Sequence, residues 1–113
     1  MFILNETHEY DWPVEVEVPQ DGGSFARQRF TARFRVLGRA AVQAALDEGG
    51  DDALVRAVTT GWNADEVRVE EAGGHRPLPF TAENLSRIVA NPFVRAAMVN
   101  AYLGSISGRR AKN

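Results

Sequence analysis

An α+β fold is what this sequence predicts, with an N-terminal antiparallel β-hairpin packed on about four short α-helices. Two patterns carry that expectation. Val14, Val16 and Val18 alternate with Glu15 and Glu17, while Phe30, Ala32, Phe34 and Val36 alternate with Thr31, Arg33 and Arg35. A period of two gives a strand one apolar face, and Gln20-Asp21-Gly22-Gly23 between the runs is turn chemistry, since glycine enters positive φ freely. Beyond Leu37 the apolar spacing changes to three and four, in segments divided by Gly49-Gly50, Gly61 and Pro92.

The 113 residues, 44% of them apolar, suit a single domain spanning 1–113, with a flexible basic tail from about residue 108. A net charge of −2 with the two signs interspersed argues against broad electrostatic binding to nucleic acid. The absence of cysteine removes disulfides, thiolate metal ligands and a thiolate nucleophile. Met1 to Leu4 is too short for a signal peptide, and no run approaches the ~20 apolar residues of a membrane span, so a soluble protein is expected.

Taken in order, Phe2, Ile3 and Leu4 either dock on the body or form a short edge strand, and Asn5 to Asp11 is expected to be irregular. The first strand runs from Trp12 to Pro19, bracketed by prolines, and the returning strand from Phe25 to Leu37. Arg27, Arg29, Arg33 and Arg35 then share the face of Glu15 and Glu17. Cross-strand Glu–Arg pairs favour that pairing by roughly 0.2–1 kcal/mol each. The competing reading, a phosphate-binding arginine row, is weakened by the facing glutamates. A hairpin alone is marginal in water, so its Val/Phe face needs helices against it.

Arg39 to Glu48 reads as a short helix through Val42, Ala45 and Leu46, ended by Gly49-Gly50. Asp51 or Asp52 caps a second, carrying Leu54, Val55 and Val58 and ended by Gly61; Trp62 then covers the junction as a core plug. Asn63 to Arg76 is a loop with room for a small hairpin, where Val67 and Val69 flank Arg68 and Gly73-Gly74 turns the chain. Two joined helices follow. Thr81 is placed to N-cap the first, with Glu83 in its first turn and Phe80 and Leu85 as a hydrophobic staple. Leu85, Ile88 and Val89 form its apolar face. It ends before Pro92, and Asn91 caps the next helix with Pro92 at its first position.

That last helix has no charged residue between Ala96 and Gly108. Val94, Met98, Ala101 and Ile106 lie to one side, and Val99, Tyr102 and Leu103 widen the apolar surface well beyond a normal stripe. Such a helix is either buried or reserved for a partner.

Pro77-Leu78-Pro79-Phe80-Thr81-Ala82-Glu83-Asn84-Leu85, Asn91-Pro92-Phe93-Val94-Arg95-Ala96-Ala97 and Ala101-Tyr102-Leu103 together resemble the tail assembly chaperones of long-tailed bacteriophages. The similarity extends to Phe30-Thr31-Ala32-Arg33-Phe34, to Gly61-Trp62 and to the basic C-terminal tail. It implies a tail-assembly-chaperone domain that binds the tape measure protein, keeps that long chain soluble and promotes tail tube polymerisation around it. The expected place is the host cytoplasm and not the finished virion. Partners implied are the tape measure protein and the tail tube protein, with self-association as a further option, and neither nucleic acid nor membrane.

No catalytic or cofactor pattern competes with that reading. His8 and His75 sit in polar, loop-like segments without ligand spacing, and the Gly doublets make no phosphate-binding loop. Asp51-Asp52 and Glu70-Glu71 are solvated pairs at caps or turns, and Ser105 and Ser107 have no base nearby in sequence. No enzyme, metal or cofactor is therefore expected. A small DNA-binding regulator is the lesser alternative, because two short jointed helices mimic a helix-turn-helix; but the last helix offers Asn100, Tyr102 and serine, with no basic side chain after Arg95 to reach base edges. A structural tail or tail-completion protein is the nearer alternative. The candidate partner-binding residues are Val99, Leu103 and Ile106 on the edge of the last helix, with Arg109 and Arg110 behind them.

Overall fold

Alternating valines and phenylalanines build the expected hairpin. A computed structural model describes residues 1–108, and in it β1 (Glu9–Pro19) pairs antiparallel with β2 (Phe25–Arg35). Gly22 and Gly23 turn the chain at φ 87° and 90°. Val14, Val16, Phe30, Ala32 and Phe34 are all buried on one face. On the other face Glu15 sits opposite Arg29 and Glu17 opposite Arg27, with ion-pair distances of 3.8 and 3.2 Å. Arg33 gathers both Glu9 and Asp11, at 3.3 and 3.1 Å. Arg27, Arg29 and Arg33 thus each ion-pair with a carboxylate, whereas Arg35, opposite Glu9, donates its Nε–H to the Ala57 carbonyl at 2.7 Å.

Several boundaries differ from expectation. β1 begins at Glu9, three residues early, and β2 stops at Arg35, leaving Val36 outside the strand and exposed. The hairpin also gains a third strand. Where a helix was expected to run to Gly61, helix α1 (Arg39–Val58) stops at Val58, and β3 (Thr59–Trp62) pairs antiparallel with β2 to give the order β1-β2-β3. Two β-branched threonines and a tryptophan suit a strand better than a helix end. The edge of β2 opposite β1 was free to receive them.

There are three helices among the described residues, not about four. Gly49-Gly50 does interrupt α1, with Gly50 at φ 65°, but the chain continues into Asp51 as one kinked element. Asp51 and Asp52 lie inside it, and Asp52 ion-pairs with Arg56 one turn on. The small hairpin is present as β4 (Arg68–Glu71) and β5 (Gly74–Pro77), which places His75 in a strand and not in a loop.

Trp62 plugs the junction as expected. Its indole N–H donates to the Leu78 carbonyl at 2.7 Å, and its ring meets Phe80 edge-on at 4.9 Å. Phe80 leads into α2 (Ala82–Ala90), where the Thr81 hydroxyl accepts from the Asn84 N–H at 3.0 Å. Asn91 ends α2 and caps α3 (Pro92–Ile106), its Oδ1 accepting from the N–H groups of Phe93 and Val94 at 2.9 and 3.2 Å. α3 lies against β1 and beside α1 and α2. Leu54, Val55 and Val58 of α1, Leu85 and Val89 of α2, and Met98 and Tyr102 of α3 close one hydrophobic core over the sheet.

Candidate functional site

The orientation of α3 follows from Tyr102. Its side chain is buried, meets Phe34 edge-on at 5.4 Å, and its hydroxyl accepts from the Leu37 N–H at 3.2 Å. One turn on, the Ser105 hydroxyl donates to the Tyr102 carbonyl at 2.7 Å. With that proton committed, the Ser105 oxygen accepts from the Tyr10 hydroxyl, 2.7 Å away. These bonds tie the C-terminal half of α3 to the open end of the hairpin and fix which residues turn outward. Burial raises the Tyr102 phenol above its ordinary pKa, and the bond from Leu37 only partly opposes this.

Ala97, Met98, Val99 and Tyr102 turn inward, whereas Phe93, Ala96, Asn100, Leu103 and Ile106 turn outward. Among the outward residues Phe93, Leu103 and Ile106 are 41%, 39% and 48% exposed. The expected apolar edge therefore exists at Leu103 and Ile106, but Val99 does not belong to it. Because α3 touches the sheet on one side and α1 and α2 on another, its buried arc is wider than a single contact would need and takes in Val99. Arg109 and Arg110 lie outside the described residues.

Two exposed apolar features escaped the sequence reading. Phe93 stands out from the first turn of α3, and its position directly after the Asn91-Pro92 cap was the available signal. Phe2, Ile3 and Leu4 neither dock nor form a strand: all three stand exposed, ahead of a turn in which Asn5 Oδ1 accepts from the Thr7 N–H at 3.1 Å. Their signal was three bulky apolar residues in succession without helical or strand period.

The remaining chemistry is that of a structured surface. Hydrogen bonding to Asp11, with a smaller contribution from Glu9, raises the Arg33 pKa above its ordinary value, as a guanidinium held between carboxylates should be. His8 stacks on Tyr10 at 5.3 Å, and His75 Nδ1 accepts from Arg68 Nε at 2.7 Å. No group of three or more His, Asp or Glu side chains suited to a metal ion occurs among the described residues, and no helix there is long and apolar enough to cross a membrane. The sequence matches no protein-family model, and neither a curated protein nor a solved structure matches it.

Proposed function

We propose that this chain is a phage tail assembly chaperone, which holds the tape measure protein soluble and promotes tail tube polymerisation around it in the host cytoplasm. The observation that carries the reading is the charge-free edge of α3, where Leu103 and Ile106 stand exposed on a helix whose opposite side is buried in the core. Support also comes from the resemblance across residues 77–85, 91–97 and 101–103, the segments that make the jointed α2–α3 pair and this edge.

An amphipathic tape measure segment would dock along the edge as a helix against a helix. Leu103 and Ile106 are already more than half covered, so completing their burial is worth only about 1 kcal/mol apiece. Contacts of that size hold an aggregation-prone chain reversibly and release it when tube subunits compete. No bond is made or broken.

Co-expression with the tape measure protein of the same phage tests the reading. The tape measure should move from the insoluble to the soluble fraction and co-purify with this chain. A tape measure equally insoluble with and without it contradicts the proposal, and finding this chain in purified virions would assign it to the tail structure instead.

A further inference from the structure

A groove of about 310 Å³ opens where the tip half of the β1–β2 hairpin meets the start of β4 and the α2–α3 joint. Val16, Phe30, Val67, Ile88 and Val94 make it apolar, and Arg68 stands exposed at its rim. The other charges along it are engaged: Arg29 pairs with Glu15 at 3.8 Å, and the Glu66 carboxylate accepts from the Thr31 N–H at 2.9 Å. Arg68 donates to His75 and has no carboxylate partner among the described residues. The groove thus suits bulky apolar side chains with a carboxylate near them.

Met1-Phe2-Ile3-Leu4-Asn5-Glu6 has that composition. Phe2 and Leu4 are 84% and 68% exposed. In an extended chain, residues two apart share a face, so Phe2 and Leu4 project together, and Glu6 follows them in the turn. We propose that residues 1–6 of one copy dock in the groove of a second copy, with Phe2 and Leu4 against the apolar walls and Glu6 paired with Arg68.

The arm cannot serve its own groove in this way. It joins β1 at Glu9, at the open end of the hairpin opposite Arg35. Phe30, the hairpin residue of the groove nearest that end, sits opposite Val14, five residues along β1 and roughly 17 Å away at the strand rise. The three residues from Glu6 to Glu9 reach at most ~11 Å and cannot bring Glu6 into the groove. Reciprocal docking by two copies gives a closed symmetric dimer. The contact lies at the N-terminal end of α3, where Val94 is roughly 14 Å along the helix from Leu103 and roughly 18 Å from Ile106, and is separate from that edge.

Sedimentation equilibrium on the full chain tests it. The chain should dimerise with increasing concentration. Phe2→Ser and Arg68→Glu should each weaken dimerisation by roughly tenfold or more, as loss of an anchor or its charge partner does. Combining Arg68→Glu with Glu6→Arg should restore much of the loss. All three positions are exposed, so an unchanged unfolding transition is expected of every variant. Dimerisation indifferent to Phe2→Ser overturns the proposal, as does a double variant no tighter than Arg68→Glu alone. A monomeric wild-type chain overturns it too, and leaves the groove to a foreign segment.

Discussion

Tyr102 and Thr59 show how single hydroxyls divide between support and burden. The Tyr102 hydroxyl satisfies the Leu37 N–H, so Tyr102→Phe strands a part-buried donor and should cost about 1–3 kcal/mol in chemical denaturation. Its ionisation adds a pH signature. Because the folded-state pKa is raised, stability is fully present below the unfolded value near 10 and falls as pH rises from there, when the unfolded chain releases the proton first. Tyr102→Phe should flatten that alkaline decline, and an unchanged decline would show that Tyr102 is not its source. Thr59 is the opposite case. It is buried, and its Oγ1 has no hydrogen-bond partner among the described residues. Thr59→Val keeps the shape and the β-branch while removing the stranded oxygen. It should therefore raise stability by about 1 kcal/mol, visible as a higher Tm; a lower Tm would mean the hydroxyl does find a partner.

Caps and alternation made most elements legible in advance. The α2–α3 joint could be read because Thr81, Asn91 and Pro92 each act within a few residues of their own position, and both caps are bonded. Thr81→Ala should accordingly cost roughly 0.5–2 kcal/mol, measured by thermal unfolding, and a neutral result would deny the cap its role. The hairpin register was legible for the same reason, through Glu–Arg pairs that face one another across it. β3 was not. Thr59-Thr60-Gly61-Trp62 is too short to show a period, and it becomes a strand only because the β2 edge at Ala32 to Phe34 is there to pair with it. Val99 was misplaced through the same limit. Helical spacing tells which residues share a side, but the width of the buried arc depends on how many neighbours the helix meets, and α3 meets the sheet and two helices.

At the scale of the whole molecule, one sheet face and three helices consume nearly all the apolar surface the chain possesses. The large apolar side chains left exposed are Leu103 and Ile106 at the C-terminal end of α3, Phe93 at its start, Phe25 at the hairpin turn, Val36 after β2, and the arm at residues 1–4. The facing charges on the outer sheet surface pair with each other. If the α3 edge is the partner surface, folding and binding are separable at Leu103, which lies outside the buried core cluster. The most direct measurement is co-purification of the tape measure protein with the Leu103→Asp variant, alongside its thermal unfolding. The account predicts a variant that still unfolds cooperatively, destabilised by about 1–2 kcal/mol because the covered part of Leu103 is lost and a carboxylate enters the last turn of α3, and that no longer retains the tape measure. A variant that stays folded and retains the tape measure as well as the parent does would contradict it.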